Sequence, residues 1–202
     1  MKRGSIMHLF LTGDRGVGKT TVVTKIVNTL TRSGTLSADE IAGFRTVWAT
    51  PRGASNGCAA LYIIPYTPED DPPERHGGVS DMNARIPPDA RPVAERDGGN
   101  HVVTIRHEVF DEDGAAMLQA ATPTPKLIIM DELGFMEMKA NAFKNAVMRV
   151  LDADVRTLGV MRKEGNPFLD AIRDHPKVSV MKVDTFNRDA LPTRLTSSFF
   201  HD

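Results

Sequence analysis

The chain carries Gly13-Asp14-Arg15-Gly16-Val17-Gly18-Lys19-Thr20, which matches the pattern G-x-x-x-x-G-K-[ST]. An apolar run from Ile6 to Leu11 precedes this stretch, and apolar residues at helical spacing follow it from Val22 to Leu30. Glycines let the backbone curl so tightly that successive amides point into one small volume, which is what a phosphate group requires. The stretch therefore predicts a phosphate-binding loop between a strand and a helix.

Residues of this loop have separate expected roles. A helix beginning near Lys19 directs its N-terminal N–H groups and its positive dipole end at the bound anion. The Lys19 ammonium can reach the β- and γ-phosphates, and the Thr20 hydroxyl can bind Mg²⁺. We therefore expect nucleotide contacts from Gly13, Asp14, Arg15, Gly16, Val17, Gly18, Lys19, Thr20 and Thr21.

The composition is that of a globular protein, with 41% hydrophobic and 25% charged residues among 202. We expect one domain over 1–202, cytoplasmic and either a monomer or a weak oligomer. A formal net charge of −1 gives no general attraction for nucleic acid. No apolar run reaches the ~18 residues that a membrane span needs. Cys58 is the single cysteine, and the six histidines lack metal-ligand spacing. His8 lies on the first predicted strand, so we expect it to pack in the core.

Apolar runs that alternate with helical patterns predict an α/β fold with a mostly parallel sheet and helices on both faces. The strand signals lie at 6–12, 43–49, 58–65, 101–106, 126–131, 155–161 and 178–184, and helical patterns beyond the loop helix span 139–152 and 166–174. The runs 43–49 and 58–65 flank a stretch containing proline and glycine, which predicts an antiparallel hairpin at one edge of the sheet.

The segment 65–100 differs in composition from the rest of the chain. It holds seven of the thirteen prolines and shows no sustained periodicity. We expect a surface excursion at 65–100 from the single domain. A mobile loop is the simpler interpretation, and a substrate lid or a partner-docking arm is the alternative.

A second stretch, Leu127-Ile128-Ile129-Met130-Asp131-Glu132, is an apolar run that ends in two carboxylates. Buried carboxylates without partners are costly, but the carboxyl end of a parallel strand faces the crevice where α/β folds bind ligands. We expect Asp131 to hold Mg²⁺ through a bound water, and Glu132 to orient and deprotonate the attacking water. An ordinary acidic strand end before a turn at Gly134 is the alternative.

Four stretches together resemble the small P-loop nucleoside-triphosphatases of archaea, bacteria and animals. They are Leu11 to Thr21, Gly43-Phe44-Arg45-Thr46, Asp131-Glu132-Leu133-Gly134-Phe135-Met136-Glu137-Met138, and Val183-Asp184-Thr185-Phe186-Asn187-Arg188. The resemblance implies a three-layer P-loop fold and Mg²⁺-dependent hydrolysis of nucleoside triphosphates with loose base choice.

Two departures from that family concern charge at the transition state. Phe135 stands where the family has a lysine, and Arg45 stands where it has a tyrosine. Phosphoryl transfer spreads negative charge over the γ-oxygens, so a cation is needed there. We expect Arg45 to act as a catalytic residue that compensates for the lost lysine. A surface ion pair is the competing account of Arg45.

Asn187 and Arg188 follow the last predicted strand, where an amide and a guanidinium can contact or stack on the base. Helix capping by Asp184 or Asn187 is the simpler alternative.

Two other functions also remain open for the whole chain. A nucleotide-dependent kinase would use Glu132 to accept a proton from a substrate hydroxyl, with 65–100 as lid or acceptor pocket. A non-enzymatic nucleotide switch would bind tightly with negligible turnover.

Overall fold

The computed structural model describes residues 8–50, 58–68, 86–97, 101–119 and 125–199, and eight strands in this part of the chain form one sheet. Their order across the sheet is β5-β4-β3-β2-β6-β7-β1-β8. Strands β2, β6, β7, β1 and β8 run parallel, and β3, β4 and β5 continue from β2 as an antiparallel meander. The strands are β1 (His8–Thr12), β2 (Ile41–Ala49), β3 (Ala59–Pro65), β4 (Pro92–Arg96), β5 (Val102–Ile105), β6 (Leu127–Leu133), β7 (Arg156–Met161) and β8 (Val178–Lys182).

Helices cover both faces of the sheet, which gives three layers. One apolar core lies under α1 and α5, and the other lies under α2, α3 and α4. The helices are α1 (Lys19–Arg32), the segment α2 (His107–Val109, Phe110–Gly114 and Ala115–Gln119), α3 (Asn141–Asp152), α4 (Pro167–Arg173) and α5 (Leu191–Phe199). The predicted α/β class, with a mostly parallel sheet and an antiparallel edge, is confirmed.

Strand β6 shows why its sequence is a continuous apolar run. Leu127 and Ile129 face the core under α1, whereas Ile128 and Met130 face the core under α3. A parallel strand covered on both faces has no solvent side, so alternation of apolar and polar residues is lost. The neighbouring β2 approaches β6 closely at Gly43, where a Cβ would overlap the Ile129 carbonyl.

Three elements were not predicted: strand β4, the segment α2 and helix α5 (Leu191–Phe199). Strand β4 lies inside the predicted excursion at 65–100, and its Val93 and Ala94 are buried. The segment α2 changes to π-type hydrogen bonding over Phe110–Gly114, which interrupts the spacing by which a helix is recognised. The predicted hairpin is present as β2 and β3, while its turn at 51–57 and the parts 69–85 and 98–100 of the excursion lie outside the described residues.

Two smaller expectations also concern the fold. His8 is fully buried in β1, as predicted. Within the described part of the chain, no helix has both the length and the apolar character needed to span a membrane.

Candidate nucleotide-binding site

The predicted phosphate loop connects β1 to α1, and α1 begins at Lys19 as expected. Gly13, Gly16 and Gly18 have φ values of 148°, 77° and 107°, a region that other residues rarely adopt. A Cβ at Gly13 would also overlap the carbonyl oxygen of Val183, which follows β8. The loop therefore depends on glycine both for its backbone conformation and for its close packing against the end of a neighbouring strand.

The Lys19 side chain is buried inside the curl of the loop. Its Nζ donates hydrogen bonds to the carbonyl oxygens of Gly13, at 3.0 Å, and of Asp14, at 3.1 Å. The same ammonium lies 4.0 Å from Oε2 of Glu132, at the carboxyl end of β6. Lys19 thus connects the loop with the acidic strand end. This is the side chain that we expected to reach the β- and γ-phosphates.

The hydroxyl of Thr20 donates a hydrogen bond of 3.1 Å from Oγ1 to Oδ1 of Asp131. Asp131 is buried, and burial raises its pKa to about 6, although the charge of Arg45 and the Thr20 hydrogen bond act in the opposite direction. Both side chains offer oxygen donors, which are the ligands that Mg²⁺ prefers alongside phosphate oxygens and waters. These two residues therefore fit the predicted metal-holding role.

Thr46 on β2 fixes the backbone beside these acids. Its hydroxyl contacts the Asp131 carbonyl at 3.5 Å and accepts a hydrogen bond from the Glu132 amide at 3.3 Å. The Glu132 side chain stays partly exposed and lies between two cations. Its Oε2 faces Lys19, and its Oε1 accepts a 3.1 Å hydrogen bond from Nε of Arg162.

A pocket of about 240 Å³ opens between the loop and the end of β6. Its volume is below the range of roughly 300–1,000 Å³ usual for a whole small-molecule ligand, so it matches the phosphate part of a nucleotide better than the base and sugar. One wall is the loop, and the other includes Asp131, Glu132 and Arg162. The structure thus brings together the predicted residues Lys19, Thr20, Asp131 and Glu132.

Three guanidinium groups lie in or beside this pocket, whose lining also holds the acids Asp131, Glu132 and Glu137. Arg15 and Arg162 line it, and Arg96 on β4 stacks on Trp48, another lining residue, with 3.8 Å from the guanidinium carbon to the ring centroid. Burial lowers the pKa of Arg96, and the charges of Arg15 and Arg162 lower it further. Guanidinium groups that repel one another at a pocket attract a polyanion such as a triphosphate.

Arg45 lies on β2, where it is paired in the sheet with Asp131 of β6. It is only 7% exposed, so the alternative of a surface ion pair does not fit. Its guanidinium carbon lies 5.1 Å from the centroid of the Tyr66 ring, and Arg45 is not among the residues that line the pocket. Its charge instead acts on Asp131, where it favours the ionised carboxylate.

The two residues predicted to contact the base differ in their surroundings. Asn187 is engaged in its own turn, because its amide donates to the Lys182 carbonyl and its Oδ1 accepts from the Asp184 amide. This local structural role is closer to the alternative of capping by Asp184 or Asn187 than to a base contact. Arg188 instead lies against the loop, where Nη1 donates to the Val17 carbonyl at 3.4 Å.

Two charged residues of the pocket lining, Glu137 and Arg162, were given no role from the sequence. Glu137 is buried, its Oε2 accepts a 3.0 Å hydrogen bond from the Gly134 amide, and burial raises its pKa to about 7. Arg162 follows β7, a parallel strand adjacent to β6. A charged residue just after a parallel strand was the available signal for Arg162, since such strand ends share the ligand-binding edge.

The fold and the site define a class of protein. A G-x-x-x-x-G-K-[ST] loop between strand and helix, with its Thr20 hydroxyl beside an acid at the end of a parallel strand, is the arrangement of P-loop nucleotide-binding proteins. The chain belongs to the NTPase family, whose model matches residues 8–62 and 92–196.

Relatives with curated names cover nearly the whole chain. It is 26% identical over 191 residues to nucleoside-triphosphatase THEP1 of Thermotoga petrophila, covering 92% of this chain and 88% of the relative. It is 29% identical over 192 residues to the cancer-related nucleoside-triphosphatase homolog of Mus musculus, covering 91% and 92%. The predicted family is confirmed, and so is the predicted class, an enzyme with nucleoside-triphosphatase activity.

Solved structures show the same fold. The crystal structure of THEP1 from the hyperthermophile Aquifex aeolicus is similar with a TM-score of 0.63 and 23% identity, and it covers 94% of this chain and 96% of that chain. The solution structure of a human cancer-related nucleoside triphosphatase is similar with a TM-score of 0.59 and 25% identity, covering 94% and 95%.

Proposed function

We propose that this enzyme hydrolyses nucleoside triphosphates to the diphosphate and phosphate, with Mg²⁺ and with a loose preference for the base. One observation carries the proposal. Lys19, Thr20, Asp131 and Glu132 surround a single pocket, although 111 positions separate Thr20 from Asp131 in the chain. A phosphate loop, a pair of oxygen donors and a carboxylate base are the parts that phosphoryl transfer to water requires.

Thr20 and Asp131 are the residues that would hold the metal ion. When bound there, Mg²⁺ neutralises charge on the β- and γ-phosphate oxygens. The loop amides and Lys19 bind the same phosphates. Lys19 is already held at the carbonyls of Gly13 and Asp14, so its ammonium needs little ordering when the nucleotide arrives.

Glu132 is the proposed general base. Its carboxylate is partly exposed and lines the pocket, so a water molecule can reach it beside the γ-phosphate. The water oxygen forms a bond to the γ-phosphorus, and the bond from that phosphorus to the bridging oxygen of the diphosphate breaks. The proton of the water passes to Glu132 and the diphosphate leaves with the electron pair of the broken bond.

A loose base preference follows from the small volume of the pocket, which leaves the base outside it. Its volume accommodates phosphates, and of the two predicted base contacts Arg188 alone keeps a position beside the loop. A guanidinium can stack on any base, because every base has a π-face. The protein is proposed to act in the cytoplasm as a monomer or weak oligomer.

The experiment that tests this function is phosphate release from ATP, GTP, CTP and UTP, with Mg²⁺ and with a chelator. We expect release from all four nucleotides that depends on the metal, and a loss of at least about a hundredfold in Glu132→Gln. Glu164→Gln is the matched control, because Glu164 is an exposed glutamate away from the pocket lining.

Other outcomes would replace the proposal. Slow phosphate release together with transfer of labelled phosphate to a metabolite would identify a kinase, with Glu132 accepting the proton of a substrate hydroxyl. Tight nucleotide binding with negligible turnover at high Mg²⁺ would identify a nucleotide switch.

A further inference from the structure

Arg162 has a fixed backbone at the edge of the phosphate pocket. It follows β7, and its amide donates a hydrogen bond of 3.0 Å to the Leu133 carbonyl at the end of β6. Its own carbonyl accepts a 2.8 Å hydrogen bond from Nη2 of Arg173 on α4. The main chain at Arg162 is thus held to β6 on one side and to α4 on the other.

The Arg162 side chain is held just as closely. Its Nε donates to Oε1 of Glu132 at 3.1 Å, and its guanidinium carbon lies 5.1 Å from the centroid of the Phe135 ring. It passes directly over Gly134, since a Cβ there would come within 3.3 Å of Cδ and Nε of the arginine. An aromatic face and a bare glycine backbone therefore place this guanidinium beside the proposed catalytic base.

Arg162 and Lys19 are two cations beside the Glu132 carboxylate. Glu132 lies between Lys19 and Arg162, so the two cations flank the carboxylate that would handle the attacking water. Lys19 comes from the loop side of the pocket and Arg162 from the opposite wall. A guanidinium carries five N–H donors, and the hydrogen bond to Glu132 uses Nε. Among the described residues the Nη groups have no hydrogen-bond partner, so they can donate to oxygens of an anion.

We propose that Arg162 is the second cation of the hydrolytic site and contacts the γ-phosphoryl group as negative charge develops on it. The proposal rests on the proposed function and assigns to Arg162 the role that the sequence analysis expected of Arg45. Arg45 is buried against Tyr66 outside the pocket lining, and Arg15 is exposed on the loop. Among the described arginines, Arg162 is the one that both lines the pocket and contacts Glu132.

The test compares ground-state and transition-state ligands in Arg162→Gln. A cation that acts on developing charge affects turnover and transition-state analogues, and it leaves ground-state affinity nearly unchanged. We expect kcat to fall by at least about tenfold. Affinity for the diphosphate with aluminium fluoride is expected to fall by a similar factor, while affinity for a non-hydrolysable triphosphate changes by less than about threefold.

Arg149→Gln is the matched control, because Arg149 is exposed on α3 and away from the pocket. Arg162→Lys is the second variant, since it keeps the charge at the strand end if the glutamine variant folds poorly. It is expected to retain more aluminium fluoride affinity than Arg162→Gln, measured against the same control.

Two results would overturn the assignment of Arg162. One is wild-type kcat in both variants, and the other is an equal loss of affinity for the triphosphate and the aluminium fluoride complex. Absence of phosphate release from the wild-type protein would instead remove the proposed function. The affinities of wild type and Arg162→Gln for the aluminium fluoride complex and the triphosphate would still show whether Arg162 contacts the γ-phosphoryl position.

Discussion

Thr20 and Asp131 are joined by a hydrogen bond of 3.1 Å across 111 positions of the chain. The two residues come from α1 and β6, and β7 lies between β6 and β1 in the sheet. The parallel arrangement brings the carboxyl ends of these strands to one edge, so the loop after β1 reaches the acids of β6. A hydroxyl and a carboxylate at this separation form a preassembled pair of oxygen donors.

The first prediction concerns this pair. Thr20→Val and Asp131→Asn each remove one oxygen donor, so we expect the Mg²⁺ concentration for half-maximal phosphate release to rise by at least about tenfold. Because the residues act on one ion, the double variant is expected to lose less than the product of the single losses. Thr29→Val is the control, since Thr29 is exposed on α1 and its hydroxyl bonds only within the helix. Unchanged Mg²⁺ dependence in both single variants would contradict the assignment.

The second prediction separates two roles for Arg45. Its charge favours the ionised form of the buried Asp131, so Arg45→Gln is expected to raise the pKa of that carboxyl and weaken Mg²⁺ binding. Saturating Mg²⁺ is then expected to restore kcat to within about threefold of wild type. Measurement of kcat against Mg²⁺ concentration checks this. A loss of tenfold or more that persists at saturating metal would instead favour the direct transition-state role expected from the sequence.

The third prediction concerns the close approach of β2 to β6. Gly43 has φ of 117°, and a Cβ there would overlap the backbone of Ile129. We expect Gly43→Ala to lower the free energy of unfolding by more than about 3 kcal/mol, because two buried parallel strands must separate. Urea unfolding measures this change. Gly34→Ala is the matched control, since Gly34 also has positive φ, 72°, but faces open space and carries only the conformational cost of about 1 kcal/mol.

The sequence predicted the parts of the site that depend on local pattern. The glycine loop and the acids of β6 are contiguous motifs, and their meeting followed from a general property of parallel sheets. The charged residue after a predicted strand was a signal for Arg162, but the sequence could not assign its role, because that role depends on β7 lying next to β6 and on the ring of Phe135. Strand β4 was missed because it buries only two side chains in a stretch rich in proline.

The fourth prediction concerns the base. Arg188 lies against the loop at Val17, whereas the side chain of Asn187 is occupied by its own turn. We expect Arg188→Ala to lower kcat/KM for both ATP and GTP by about threefold or more, because a stacking partner that accepts either base is lost. Arg194→Ala on α5 is the control, an exposed arginine six positions further along. The same kcat/KM for both nucleotides in wild type and Arg188→Ala would exclude a base contact.

The fifth prediction concerns acid stability. His8 is fully buried in β1, where Nδ1 lies 3.1 Å from the Thr157 hydroxyl and Nε2 lies 2.9 Å from the Leu151 carbonyl. Burial lowers its pKa from 6.5 to about 4, and the nearby charges of His175 and Lys177 act in the same direction. Between pH 6.5 and about 4, His8 therefore binds a proton in the unfolded chain but not in the folded protein. Stability contributed by neutral His8 is present above pH 6.5 and is lost as the pH falls toward 4.

The loss from His8 is at most about 3 kcal/mol, since one pKa unit corresponds to about 1.4 kcal/mol. Urea unfolding between about pH 7.5 and pH 4.5 measures it, and His8→Gln keeps hydrogen-bonding groups without a titrating proton. We expect the variant to be less stable than wild type at pH 7.5 and to show a shallower decline on acidification. His101→Gln is expected to leave the decline unchanged, because His101 is exposed to solvent. Equal pH dependence of His8→Gln and wild type would show that protonation of other groups causes the acid sensitivity.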